Sequence, residues 1–136
     1  MLSLTNSDSQ TPLSGQALTF DTVLLKTGCA ECYQQDTGAA TLVVKNAIYE
    51  IDFSSVVSAA ATGDVQAVIG INGTPVKYSL MQSTIATAGN TQMISRKIRI
   101  KTCCCSGGIN ISIINQSEAA VEPEFINPIL NVKRVA

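Results

Sequence analysis

Short runs in which apolar and polar residues alternate at every second position dominate this chain. In "AIYEIDFSSVVSA" the residues Tyr49, Ile51 and Phe53 share one face. Side chains of a strand point alternately to its two sides, so this period predicts a half-buried strand. "VQAVIGING" repeats the pattern with Val65, Ala67, Ile69 and Ile71 and ends in the hairpin signal Asn72-Gly73-Thr74. "ISRKIRIKT" sets Ile94, Ile98 and Ile100 against Ser95, Lys97, Arg99 and Lys101, with Arg96 out of place in the apolar phase. "INISIINQS" alternates again after Gly107-Gly108, placing Ile111 and Ile113 on one face. "LTFDTVLLK" (Leu18 to Lys26), "TLVVK", "VKYSLMQSTIAT" and "FINPILNVKRVA" complete eight strand-like segments. Only "SEAAVEPEF" leans towards helix, and Pro123 cuts it short. Eight short strands without a segment of helical period predict an all-β sandwich or barrel.

No internal repeat and no linker-like stretch divides the 136 residues, a length suited to one domain with its own core. Residues 1–15, rich in Ser, Thr, Asn and Gln, are expected to form an N-terminal arm, frayed or anchoring, ahead of a single domain at 16–136. An apolar share of 46% with 14% charged residues argues against disorder. A net charge of -1 offers no basic surface for nucleic-acid phosphates. No run approaches the roughly 18 apolar residues of a membrane span. The N-terminus lacks the basic and apolar regions of a secretory leader, so folding in the cytoplasm, among reduced thiols, is expected.

Candidate chemistry is sparse. Histidine is absent, which removes the usual general base and the commonest nitrogen ligand for zinc. Cys29-x-x-Cys32 has the spacing of half a structural zinc site, but the second half would have to come from Cys103 and Cys105, with Cys104 between them. The five cysteines are read as small buried apolar residues, with a disulfide across the two loops and a metal site as alternatives. Asp8, Asp21, Glu31, Asp36, Glu50, Asp52 and Asp64 are scattered. Of these, Glu50 and Asp52 share a strand face and are read as solvated, like the Lys97, Arg99 and Lys101 stripe, which guards an exposed strand against edge pairing. No phosphate loop or nucleophile motif is present, and neither an enzyme nor a cofactor is expected.

The order of "ALTFDTVLLKTGC", "NAIYEIDFSSVVSA", "VIGINGTPV", a late cysteine loop, "GGINISIINQS" and "NPILNVKRVA" resembles a known superfamily. It is similar to the compact bacterial and phage members of the jelly-roll superfamily that includes tumour necrosis factor and the complement globular heads. "AIYEIDF" stands where that superfamily has Gly-x-Tyr-x-Val-x-Phe, with Ala47 in place of the glycine. "IGINGTP" corresponds to its Leu-x-x-Asn-Gly turn, and Arg134-Val135 to the end of its last strand. The resemblance implies a TNF-like jelly-roll sandwich of about eight to ten antiparallel strands, assembled as a homotrimer for binding or structure. Tyr49, Ile51, Phe53, Ile98, Ile100, Ile111 and Ile113 are then candidates for the core or for contacts between copies. The expected role is an accessory virion component, a phage head fibre or capsid decoration, built in the host cytoplasm and joined to a capsid through the N-terminal arm. The alternative is the globular head of a bacterial or spore surface protein that binds a glycan or protein receptor. The lack of a Gly-x-y stalk weighs against the spore version.

Overall fold

The computed structural model describes residues 1–27, 33–35, 41–43, 47–101 and 109–135. Eleven strands run through them: β1 (Leu2–Thr5), β2 (Thr22–Lys26), β3 (Tyr33–Gln35), β4 (Thr41–Val43), β5 (Ile48–Ala59), β6 (Gly63–Ile71), β7 (Thr74–Pro75), β8 (Met81–Ile85), β9 (Gln92–Lys101), β10 (Ile109–Asn115) and β11 (Pro123–Arg134). All pairings are antiparallel. One sheet has the order β2-β1-β11-β5-β9, the other β3-β4-β10-β6-β7, with β8 also on β6. Two packed antiparallel sheets are the sandwich that the alternating pattern predicts, and non-consecutive neighbours in both make it the jelly roll that the resemblance implies. Among the described residues there is no α-helix, and the helix-leaning stretch forms a 3-10 turn at Ala119–Val121.

The core lies between the sheets. Tyr49, Ile51, Phe53 and Val57 from β5 meet Val65, Ala67 and Ile69 from β6 and Ile111 and Ile113 from β10, all fully buried. Phe20 packs edge-on against Phe53, with ring centroids 6.5 Å apart and planes at 85°, the arrangement favoured by ring quadrupoles. Ser79, also fully buried, repairs a break in the edge of β6 between β7 and β8. Its hydroxyl accepts from the Ile69 amide at 2.9 Å and donates to the Val76 carbonyl at 2.7 Å. The Ser117 hydroxyl does the same for the Gln66 amide at 2.9 Å.

β11 carries a bulge. Ile126 faces Val56 and Ile129 faces Ser54, so Asn127 and Pro128 together lie opposite Ser55. The added residue reverses the strand's phase, letting Phe125 on one side of the bulge and Leu130 and Val132 on the other all reach the core. Pro128 has no amide to leave unpaired there. Asn127 takes the left-handed φ of 49°, a region Asn tolerates better than most residues.

Two expectations need correction. Residues 1–15 are not an arm outside the domain: Leu2–Thr5 is a strand between β2 and β11, and Gln10 bridges to Phe125. Leu2 and Leu4 are each 1% exposed. Two leucines spaced by two residues bury a face that a solvated arm would leave in water. Likewise, "VKYSLMQSTIAT" does not start as a strand, since residues 76–80 form a turn held by Ser79 and β8 begins at Met81. Arg96, the misfit of the isoleucine face, turns out of the core and donates from Nε and Nη2 to the Tyr78 carbonyl at 3.1 and 2.8 Å. It thereby caps that turn.

The start of the chain is tied down further by Asp21. Its carboxylate accepts from the Ser7 amide at 2.9 Å, the Ser7 hydroxyl at 2.5 Å and the Thr22 hydroxyl at 2.8 Å. Hydrogen bonds from the Ser7 and Thr22 hydroxyls, then from the Ser7 amide, hold its pKa below the ordinary 3.8. A lowered folded-state pKa means the tie is intact above pH 3.8 and weakens as pH falls through the folded value. Ser7→Ala should raise the Asp21 pKa towards 3.8 in an NMR titration; an unmoved value would show that the hydroxyl bond is not what lowers it. Leu4→Ala should cost about 2–5 kcal/mol in denaturant unfolding, as for a buried leucine. A cost near zero would restore the free-arm reading.

Candidate functional site

Two surfaces of the domain remain open to a partner. The first is the outer face of the five-stranded sheet, made of the positions that alternate with the core. Val56 of β5 lies opposite Met93 of β9 on one side and Ile126 of β11 on the other. These three make an apolar row across three strands, with Ile129 further along β11. Met93 is 62% exposed and Ile129 36%, while Val56 and Ile126 are half-buried. The face turns polar towards the other end of the strands. Glu50 lies 3.7 Å from the Lys97 ammonium and 3.2 Å from Arg99 Nε. These exposed pairs are worth at most about 1 kcal/mol each and tie up the carboxylate that shares a face with Asp52. No reacting pair of acids is formed there.

The second surface is a cleft of about 890 Å³ at the end of the sandwich where β5 and β10 finish and β11 begins. Its walls are residues 11–14, 58–60 and 88–89, with Asn115, Glu118, Ala119, Glu122, Pro123 and Glu124 from the stretch between β10 and the start of β11. Asn115 builds it. The residue is fully buried at the end of β10, in phase with Ile111 and Ile113. Its side-chain Nδ2 donates to the Pro12 carbonyl at 2.9 Å, and its Oδ1 accepts from the Ser117 amide at 3.0 Å. Its backbone donates to the Gln16 carbonyl at 2.9 Å and accepts from the Gly15 amide at 2.7 Å. One side chain thus fixes both loops that face each other across the cleft. Glu122 follows the 3-10 turn with φ 48° and carries its carboxylate on the rim. Gly63, at φ 145°, brings the start of β6 so close that a Cβ there would lie 2.8 Å from Val121 Cγ2.

The residues singled out from sequence are distributed as follows. Tyr49, Ile51, Phe53, Ile98, Ile111 and Ile113 are buried between the sheets, and Ile100 packs against them half-buried. Their side chains point away from the outer face, so contacts between copies would have to use the residues that alternate with them. Cys29, Cys32, Cys103, Cys104 and Cys105 lie outside the described residues. Among the described residues no group of three acidic, cysteine or histidine side chains is placed to hold a metal. No described helix is long and apolar enough to cross a membrane. Asn115 and the glutamates at 118, 122 and 124 were not singled out. The available signal was an asparagine in the core phase of an alternating strand.

No protein-family model matches the sequence, and no curated protein does. The fold is nevertheless shared with solved structures. The globular domain of the zebrafish complement 1qA protein superposes with a TM-score of 0.70 at 13% identity, over 98% of this chain and 97% of that one. Rabbit GITRL superposes with a TM-score of 0.49 at 11% identity, over 78% of each chain. The first likeness establishes the jelly roll of the complement-head type, in agreement with the motif order.

Asn115→Ala should cost about 1–3 kcal/mol by leaving the Pro12 carbonyl and the Ser117 amide without their partner. It should also speed amide hydrogen exchange in residues 11–18 and 116–118 beyond that of the sheets. Uniform loss of protection across the domain would mean that Asn115 supports the core and not the cleft.

Proposed function

We propose that this chain is a non-enzymatic jelly-roll head that assembles as a homotrimer. The observation that carries the reading is the apolar row of Met93, Val56 and Ile126 on the outer face of the five-stranded sheet. A sheet needs one apolar face to make a sandwich, and that face is already filled by Tyr49, Ile51, Phe53 and their neighbours. Apolar side chains side by side on the second face are what contact with another copy requires. The complement-head fold supports the same use of the domain.

The more specific assignment is an accessory component of a virion, a phage head fibre or capsid decoration, assembled in the host cytoplasm. It rests on the resemblance of the motif order to compact phage members of the superfamily. Because Leu2–Thr5 is part of the sheet, attachment to a capsid would run through a surface of the folded domain, not through a loose tail. The second reading, a bacterial or spore surface head that binds a receptor or glycan, is favoured by the cleft.

Sedimentation equilibrium at micromolar concentration should give about three times the chain mass of 14.3 kDa. Met93→Glu should return the protein to a monomer with unchanged far-UV circular dichroism, since Met93 is 62% exposed in the single chain and the added charge is buried only in the assembly. A wild-type monomer would overturn self-association. Antibodies against the chain should label purified virions from the source culture; labelling of the cell or spore envelope instead would decide for the surface head.

A further inference from the structure

The cleft at the end of the sandwich combines an apolar floor with an acidic rim. Pro12, Leu13, Ala59, Ala60, Ala88 and Ala119 supply small apolar surface, and Leu13 is 70% exposed. Glu118, Glu122 and Glu124 stand around it, and no lysine or arginine is among the lining residues. Among the described residues, no lysine or arginine forms an ion pair with these three carboxylates.

Much of the basic charge lies towards the opposite end. Strand register places Lys26 beside Leu2 and Leu2 beside Val132, next to Lys133 and Arg134, while Lys101 faces Ile48 and Arg99 faces Glu50. Among the described residues the charge is therefore uneven, with Glu118, Glu122 and Glu124 at the cleft and Lys26, Arg99, Lys101, Lys133 and Arg134 towards the far end.

Among the described residues no three acidic side chains converge as a set that could hold a metal ion. Three carboxylates that do not converge, around an apolar cleft, suit an extended cationic ligand better than one divalent ion. Nucleic acid is repelled by such a rim. We infer that the cleft binds an extended peptide segment of a partner protein in which lysine or arginine alternates with small apolar residues. The apolar side chains settle on the alanine and proline floor, the basic groups reach the glutamates, and Thr11, Ser14 and Ser58 offer hydrogen bonds to the peptide backbone. Charge-assisted contacts at a partly desolvated rim provide the selectivity.

This surface lies apart from the apolar row on the outer sheet face, so the two readings fail separately: sedimentation reports self-association, and peptide binding reports the cleft. The test begins with selection from a displayed random heptapeptide library on the full-length protein. Selected peptides should be rich in Lys and Arg beside Ala, Val or Leu. By fluorescence anisotropy their affinity should fall by about tenfold or more in a Glu118→Gln, Glu122→Gln, Glu124→Gln variant. It should also weaken as salt rises. NMR shifts on titration should centre on the amides of Ala59, Ala88 and Ala119. Selected peptides without basic residues, equal binding by the triple variant, or shifts centred elsewhere would each overturn the inference. So would a triple variant with altered sedimentation, because the occupant would then be a second copy of this chain.

Discussion

Side chains along a strand alternate between its two faces, so Phe125 and Leu130, five residues apart, cannot both reach the core from one regular strand. They do so because Asn127 and Pro128 are both set against Ser55. β11 runs through the middle of its sheet, flanked by β1 and β5. Its phase therefore decides which way its neighbours must face. With the bulge in place, Leu2 and Leu4 of β1, Tyr49, Ile51 and Phe53 of β5 and Leu130 and Val132 of β11 all fall on the inner side. The Thr5 hydroxyl donates to the Pro128 carbonyl at 2.7 Å and ties the bulge to β1.

Once that face is full, what remains outside defines how the molecule meets others. The second face of the five-stranded sheet carries an apolar row at one end and paired charges at the other. The end loops, held by Asn115, leave a cleft with a carboxylate rim. Both surfaces are by-products of the same alternation: every residue sent inwards fixes its neighbour outwards. The edges are protected separately. β9 exposes Lys97, Arg99 and Lys101, and its Arg96, turned out of the core, caps the turn at Tyr78. Charges of this kind discourage pairing of an edge with another chain.

Much of the sandwich was legible in the sequence. β5, β6, β9 and β10 were read where they stand, because each alternates over seven or more residues and a partly buried sheet demands that period. β1 was missed although Leu2 and Leu4 alternate with Ser3 and Thr5. Four residues amid Ser, Asn and Gln carry too little signal to separate a strand from a polar arm. The start of β8 was misread because Val76, Tyr78 and Leu80 alternate as a strand would, while Ser79 draws the backbone into a turn. Arg96 had no explanation until the Tyr78 carbonyl was found within its reach.

The cleft was not legible at all. Its parts come from four separated stretches of chain, and nothing local sets Glu118, Glu122 and Glu124 apart from other charged residues. The sequence by itself determined that the chain is an all-β sandwich and which residues alternate to fill it, since burial of apolar side chains at period two is a local property of each strand. Only the tertiary structure decided that the first five residues complete a sheet, that a bulge sets the phase of β11, and that one buried asparagine draws distant loops around an acidic groove. Those depend on which backbone donors and acceptors are left over once the strands have paired, and such vacancies exist only in the folded chain.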